Sequence, residues 1–184
     1  MNKLAGMRCY LCGPIDCAPD FGIGWRRDIS DFLKSMKISI LDPTDKPING
    51  YMDEKEELVH IREQYKKNGQ LEYVTRLVKR IRAIDLRLVD LADFLIIHLD
   101  TTIFSCGTME ELFWGNRMKK PCLTHIEQGR INTPDWLLGT LPLEHFFDTW
   151  QDLKIYLTNI NNNSKIDTTR RWCFLNYNKI NGVY

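Results

Sequence analysis

The sequence has little net charge and lacks the motifs of several large enzyme classes. Its 25 Lys and Arg nearly balance its 24 Asp and Glu, which leaves a net charge of +1. Nucleic-acid-binding proteins often carry a strong basic excess, so nucleic acid is not expected as a partner. There is also no phosphate-binding Gly-x-x-x-x-Gly-Lys-Ser/Thr run, no Gly-x-Gly-x-x-Gly fingerprint and no Gly-x-Ser-x-Gly elbow. These absences disfavour P-loop nucleotide hydrolysis, dinucleotide binding and serine-hydrolase chemistry.

Long hydrophobic runs are also missing. No apolar stretch approaches the roughly 18 residues that a membrane span needs, and the first eight residues contain no apolar core of a secretory signal. We therefore expect a cytoplasmic protein that makes no use of a membrane.

The cysteines and histidines show no metal-ligand spacing. Cys9-x-x-Cys12, followed by Cys17, has no second pair that would complete a tetrahedral zinc site. The four histidines (His60, His98, His125 and His145) are widely separated along the chain. The six cysteines are therefore interpreted as small buried thiols, and the sequence predicts neither a metal nor another cofactor.

Strands and helices alternate along the chain. Short apolar segments at residues 7–12, 38–41, 94–99 and 121–124 are typical of strands, and residues 94–99 form the clearest of them. Between and after them, apolar residues recur at helical spacing in the stretches 25–36, 53–67, 71–92, 108–118 and 149–160. This alternation predicts an α/β fold with a doubly wound, flavodoxin- or Rossmann-like, mostly parallel sheet and flanking helices. With 184 residues, we expect one domain spanning 1–184.

The C-terminal segment is rich in aromatic residues, among them Trp172, Phe174, Tyr177 and Tyr184. A tail of this composition is expected to pack on another surface. We predict that residues 168–184 dock, with a neighbouring subunit as one candidate surface.

The loops that follow the strands carry several acidic side chains. In an open parallel sheet, ligands bind outside the carboxyl ends of the strands. The loop after the first strand contains Asp16, and the loop after Leu99 contains Asp100 and leads to Glu110 and Glu111. Because cleavage of an N-glycosidic bond requires one carboxylate at the sugar and one acid at the leaving base, these loops favour glycosyl transfer.

Three segments in chain order resemble the nucleoside 2-deoxyribosyltransferase family. They are residues 10–16, a central block comprising Asp85, Asp93, 107–111 and 120–121, and the chain end 181–184. The match covers most of the chain, but residues 46–79 and 159–169 have no clear counterpart.

This resemblance implies three catalytic residues. Glu111 would attack the anomeric carbon, since it lies four residues after Gly107 and ten before Pro121; Glu110 is the rival. Asp85 would contact the base and assist its protonation, and Tyr10 would hydrogen-bond to Glu111. Without the resemblance, the two glutamates would be interpreted as charges that stabilise a helix start, and Asp85 as the partner of a cation such as Arg82.

The substrate contacts implied by the resemblance are more dispersed. They are Gly13, Asp16, Trp25, Asp100, Ser105, Gly107, Asp135 and Tyr184. Ser105 stands where the family often has an acidic sugar contact, and Asp100 is its candidate substitute. Trp25, Trp136 and Tyr10 are candidates for stacking on a base.

The implied activity is exchange of the nucleobase of 2′-deoxyribonucleosides, as in nucleoside salvage. It would proceed through a covalent 2-deoxyribosyl–glutamate intermediate with net retention, and deoxyribonucleosides and free nucleobases would be the partners. We also expect a homo-oligomer with a dimer as its minimum unit and a hexamer as the larger alternative.

Two other functions stay open at this point. The first is a nucleoside 5′-monophosphate N-glycosidase that uses water as acceptor, with Arg26, Arg27 and Ser105 as candidate phosphate contacts. The second is a non-catalytic nucleotide-binding module on the same fold.

Overall fold

The computed structural model describes residues 2–48, 53–162 and 167–174. The strands are β1 (Arg8–Cys12), β2 (Ser39–Leu41), β3 (Phe94–Leu99), β4 (Cys122–Ile126) and β5 (Phe146–Phe147). The helices are α1 (Ile23–Ser35), α2 (Glu56–Lys67), α3 (Leu71–Leu91), α4 (Cys106–Arg117), α5 (Asp135–Leu138) and α6 (Trp150–Asn161). Single 3₁₀ turns lie at Arg130–Asn132 and Leu143–His145.

The five strands form one sheet in the order β2-β1-β3-β4-β5, and every pair is parallel. The predicted doubly wound α/β fold is therefore confirmed. In this strand order the chain reverses direction across the sheet between β1 and β3, which is where such folds form their ligand crevice. Among the described residues, no helix combines the length and apolarity required to cross a membrane.

Two apolar layers cover the two faces of the sheet. On one face, α1 and α6 pack through Ile29, Leu33, Leu153 and Leu157 against the strands. On the other face, α3 and α4 contribute residues such as Leu88 and Leu112 to a second cluster, which includes Tyr10. Successive strand residues point to opposite faces, so neighbouring positions on β1 and β3 serve different layers.

The observed elements differ from the predicted ones by a few residues at their ends and by one short strand. β5 has only two residues, too few for a recognisable apolar period. α4 begins at Cys106 rather than Thr108, because the Ser105 side chain accepts a hydrogen bond from the Thr108 amide and so caps the helix. Glu110 and Glu111 therefore lie in the second turn of α4, and the alternative that they stabilise a helix start is wrong.

The cysteines divide between core and surface. Cys9, Cys12 and Cys122 are buried as predicted, whereas Cys17 and Cys106 are exposed. Cys173 is exposed as well, and all six thiols are free.

The aromatic tail docks on the chain's own sheet as far as residue 174. Trp172 packs against Phe94 of β3, and its indole nitrogen donates a hydrogen bond to the Tyr156 hydroxyl. This contact lies in the α1–α6 layer, opposite the layer that contains Tyr10. The predicted docking of residues 175–184, including Tyr184, lies outside the described residues.

Candidate active site

A cavity of about 280 Å³ lies at the carboxyl ends of β1, β2 and β3. Its walls come from the loops after these strands, from α2 and α3, and from the first turns of α4. Six residues predicted from the sequence line it: Gly13, Asp16, Asp85, Ser105, Gly107 and Glu111. The fold thus gathers residues that are up to about a hundred positions apart into one crevice at the reversal point of the sheet.

Glu111 lines this cavity, and Tyr10 of the sheet contacts its carboxyl group. The Tyr10 hydroxyl donates a hydrogen bond of 2.8 Å to Glu111 Oε1, although the two residues are separated by 101 positions. Tyr10 is fully buried on β1, and burial together with the adjacent Glu111 and Asp85 carboxyls raises its pKa well above the usual value. Its hydroxyl therefore stays protonated and remains a donor.

The pKa of Glu111 is raised to about 7. Burial is the main cause, while hydrogen bonds from Cys12 and Tyr10 act in the opposite direction and favour the charged form. A carboxylate with these properties is poised near neutrality, where it can ionise and yet remains a stronger nucleophile than an ordinary surface carboxylate.

Asp85 lies on α3, in the same cavity wall, and it is almost fully buried. Burial and the neighbouring Glu54 raise its pKa to about 8, although Lys46 counteracts them. Its cation is Lys46, whose ammonium lies 2.7 Å from Asp85 Oδ1 and 3.3 Å from Glu54 Oε1. The sequence suggested Arg82 as the cation that pairs with Asp85. This prediction is wrong, because the Arg82 guanidinium pairs with Glu110 instead.

The charge balance of this buried cluster favours one retained proton. Glu54, Asp85 and Glu111 are three carboxyl groups, and Lys46, whose side chain is fully buried, is the cation that contacts Asp85 and Glu54. Full ionisation would leave excess negative charge in a low-dielectric site, which is costly. Asp85, with the higher pKa of the two predicted catalytic carboxyls, is the group suited to hold that proton.

Two arginines complete the cavity wall. Arg62 of α2 pairs with Asp16, and Arg82 of α3 forms a two-pronged pair with Glu110 that includes a 2.7 Å bond from Nε to Oε2. Arg62 is buried, whereas the Arg82 side chain is more than half exposed. Glu110 therefore faces a cation at the cavity edge, whereas Glu111 contacts the buried Tyr10.

The sequence did not identify Lys46, Glu54 and Arg62 as site residues. They belong to the 46–79 stretch, which lacks a counterpart in the resemblance. Glu54 and Arg62 line the cavity, and Lys46 contacts Asp85 in its wall. The only signal in the sequence was a charged stretch at helical spacing, which is more typical of a solvated helix face.

Three predicted contacts, Trp25, Asp100 and Asp135, do not line this cavity. Trp25 stacks on Trp150 on the opposite side of the sheet. The Asp100 carboxylate accepts hydrogen bonds from Thr102 and Gln128 in its own loop region. Asp135 begins α5. The predicted contact by Tyr184 lies outside the described residues. Trp136, considered as a base-stacking residue, is 79% exposed and also lies away from the cavity.

Arg26, a candidate phosphate contact, binds backbone carbonyl groups of the chain instead. It is buried, and its guanidinium donates hydrogen bonds to the carbonyls of Leu11, Gly13 and Gly22. These bonds hold the turn after β1 in place. Arg27 is exposed and lies beside Asp28, so the arginines that line the cavity are Arg62 and Arg82 instead.

Comparison with solved structures reveals similar folds. A 2-deoxyribosyltransferase of Bacillus psychrosaccharolyticus superposes with a TM-score of 0.56 at 14% identity, over 80% of this chain and 90% of that one. A 2-deoxyribosyltransferase of Leishmania mexicana gives a TM-score of 0.51 at 17% identity, over 83% of this chain and 97% of that one. A CMP N-glycosidase of Clostridium botulinum gives 0.46 at 14% identity, over 85% and 98%.

Comparisons by sequence give no match: no protein-family model fits the chain, and no curated protein is similar to it at the significance required. The structural likeness agrees with the fold that the resemblance in the sequence implies. The chain shares its fold with two 2-deoxyribosyltransferases.

Proposed function

We propose that this chain belongs to the nucleoside 2-deoxyribosyltransferases and exchanges the nucleobase of 2′-deoxyribonucleosides through a covalent bond to Glu111. The observation that carries the proposal is the hydrogen bond from the buried Tyr10 to Glu111, which lines the same cavity as Asp85. These are the three residues to which the resemblance in the sequence assigns the chemistry.

The first half of the reaction forms the covalent intermediate. A carboxylate oxygen of Glu111 bonds to C1′ of the sugar, and the bond from C1′ to the base nitrogen breaks. Protonated Asp85 transfers its proton to the departing base. The raised pKa values suit these roles, because Asp85 holds its proton to higher pH than Glu111 does.

The second half reverses these events with a different base. A nitrogen of the incoming base attacks C1′ and the bond to Glu111 breaks, while Asp85 accepts the proton that the incoming base loses. Two displacements at the same carbon give net retention. Water competes with the incoming base at this step, so the surroundings of C1′ decide between transfer and hydrolysis.

Hydrolysis of a nucleoside 5′-monophosphate is the second candidate. It is favoured by Arg62 and Arg82 in the cavity wall, since guanidinium groups bind phosphate oxygens well. Both already pair with carboxylates, so a phosphate would have to compete with Asp16 and Glu110.

A base-exchange assay separates the two functions. The protein is incubated with a deoxynucleoside, or with its 5′-monophosphate, in the presence of a second free base. Formation of the new deoxynucleoside supports the transferase. Release of free sugar or sugar phosphate without exchange contradicts it and supports the hydrolase, for which Arg62→Met would raise KM for the monophosphate selectively.

We also propose one domain over 1–184 and a homo-oligomer of at least two copies, as the family resemblance implies. Sedimentation of the full chain tests the assembly, and a monomer at catalytic concentration would contradict it. Removing Val183 and Tyr184 should lower turnover while leaving the melting temperature nearly unchanged, if the chain end completes a neighbour's site.

A further inference from the structure

A second polar cluster lies on the opposite face of the sheet from Glu111. His98 of β3 and His125 of β4 are direct partners in the parallel pairing of these strands. Their rings stack at 5.3 Å, and they contact Trp25 of α1 and Trp150 of α6. The cluster therefore belongs to the α1–α6 side, at the carboxyl ends of the two central strands.

One possible ligand atom from each of His98, His125 and Glu127 lies within 4.8 Å of the other two. His98 Nδ1 lies 3.1 Å from His125 Nδ1. Glu127 Oε2 lies 3.9 Å from His98 Nε2 and 4.0 Å from His125 Nδ1. Two ligand atoms of a tetrahedral zinc ion are about 3.3 Å apart, given bond lengths of roughly 2.0–2.1 Å. The Glu127 side chain is half exposed and can approach by rotation.

The electrostatic surroundings also suit a cation. A cavity of about 470 Å³ is lined by His98, and its charged lining residues are Asp20, Asp28, Glu127 and Lys154. Three acidic groups thus face one lysine, and the buried Arg26 is the further cation that acts on His98.

We propose that His98, His125 and Glu127 bind a divalent transition-metal ion, with zinc as the best fit. Two imidazole nitrogens and one carboxylate favour zinc over magnesium or calcium, which prefer all-oxygen sites. Three protein ligands leave one tetrahedral position for water or a small anion. The bound ion would cross-link the carboxyl ends of β3 and β4, and this role is independent of the chemistry proposed for Glu111.

The sequence could not indicate this site. His98 and His125 are 27 positions apart, and only the register of β3 with β4 brings them together. The sequence prediction of no metal rested on spacing along the chain, to which a pair across two strands is invisible.

Calorimetric titration of the chelator-treated full chain with Zn²⁺ tests the proposal. We expect one ion per chain, and binding at least about tenfold weaker in His125→Ala and in Glu127→Ala. Glu127 is half exposed, so its variant should fold even if the buried His125 variant does not. His60→Ala is the matched control, since His60 is exposed on α2 and contacts Phe21 instead; it should bind like the parent.

Titration with Co²⁺ identifies the ligands. Coordination by nitrogen and oxygen gives visible absorption bands without the sulfur-to-cobalt charge-transfer band that a cysteine ligand would add. Lack of saturable Zn²⁺ binding, unchanged affinity in the Glu127 variant, equal loss in the His60 control, or a sulfur-to-cobalt band would each overturn the proposal.

Discussion

At the scale of single residues, adjacent glutamates on α4 have opposite environments. Glu110 is paired with Arg82, and hydrogen bonds from that guanidinium lower its pKa. Glu111 is one position further along, and its pKa is raised to about 7, mainly by burial. The rotation of the helix by about 100° between neighbours places one side chain at the cavity edge and the other against Tyr10. This contrast makes the pair a natural internal control.

Removing the Tyr10 hydroxyl should impair the reaction without unfolding the chain. Tyr10→Phe keeps the buried ring but deletes a hydrogen bond to a charged group, which is worth about 1.5–3 kcal/mol. We expect kcat/KM to fall at least about tenfold, and the acidic limb of its pH profile to move to higher pH. Steady-state kinetics across pH are the measurement. Tyr156→Phe, a buried tyrosine in the other layer, should leave both unchanged; equal losses in the two variants would contradict the assigned role.

A plot of kcat/KM against pH for the parent enzyme should be a narrow bell-shaped curve. Glu111 must be ionised, so kcat/KM should rise through about pH 7, and Asp85 must be protonated, so it should fall through about pH 8. The limbs report the coupled cluster rather than isolated groups. Asp85→Asn should abolish the alkaline limb and lower the rate, whereas Asp90→Asn on the same helix should preserve the bell. An alkaline limb that persists in Asp85→Asn would be evidence against Asp85 as the acid.

At the scale of elements, Lys120 joins α3 to the sheet just ahead of β4. Its ammonium donates hydrogen bonds of 2.5–2.7 Å to the carbonyls of Val89, Asp90 and Ala92 at the end of α3. These carbonyls lack partners within the helix, and the cation also opposes the negative end of the helix dipole. The contact fixes the helix that carries Asp85.

Lys120→Met should therefore destabilise the chain more than a surface change would. It leaves several carbonyls without their charged donor, at a cost of about 2 kcal/mol. Chemical denaturation should show a lower midpoint, while Lys119→Met, at an exposed neighbour, should change it by no more than about 0.5 kcal/mol. A Lys120 variant as stable as the parent would show that the three hydrogen bonds add nothing net.

The elements themselves were largely predictable from the sequence. The nearly continuous apolar run 94–99 predicted β3, and the helical spacing of apolar residues predicted α3. Both elements lie at the predicted positions. The differences have separate causes: the Ser105 cap extends α4 at its start, and β5 is too short to show a pattern. Strand register was not predictable, and it is the register that pairs His98 with His125.

At the scale of the whole molecule, the candidate site depends on contacts that no local pattern encodes. The family resemblance predicted Tyr10 beside Glu111. The fold places the Tyr10 hydroxyl within hydrogen-bonding distance of the Glu111 carboxyl group. By contrast, Lys46 forms ion pairs with Glu54 and with the distant Asp85, and Trp25 lies in the apolar layer on the other face of the sheet. Long-range packing therefore determines which charged residues meet.

The raised pKa of Glu111 in this cavity should reduce the stability of the native state at neutral and alkaline pH. Folding raises the pKa of Glu111 from 4.5 to about 7, so the folded chain binds more protons than the unfolded chain between these values, and stability falls as pH rises through this window. Glu111→Gln removes this loss. Its free energy of unfolding should exceed that of the parent at pH 8, by up to about 3 kcal/mol, and the difference should shrink toward pH 4.5.

Denaturant unfolding at several pH values checks this prediction. Glu110→Gln is the control, because the Glu110 pKa is lowered and the group stays ionised across the same window. A stability difference between Glu111→Gln and the parent that is constant from pH 4.5 to 8 would contradict the raised pKa.

Intact-protein mass spectrometry tests the covalent step most directly. After incubation with a 2′-deoxynucleoside, the parent chain and Glu110→Ala should each gain the mass of one deoxyribosyl group, and a second base should remove it. Glu111→Ala, folded by circular dichroism, should show no such gain. An adduct that persists in Glu111→Ala, or base exchange by the parent without any adduct, would contradict Glu111 as the nucleophile.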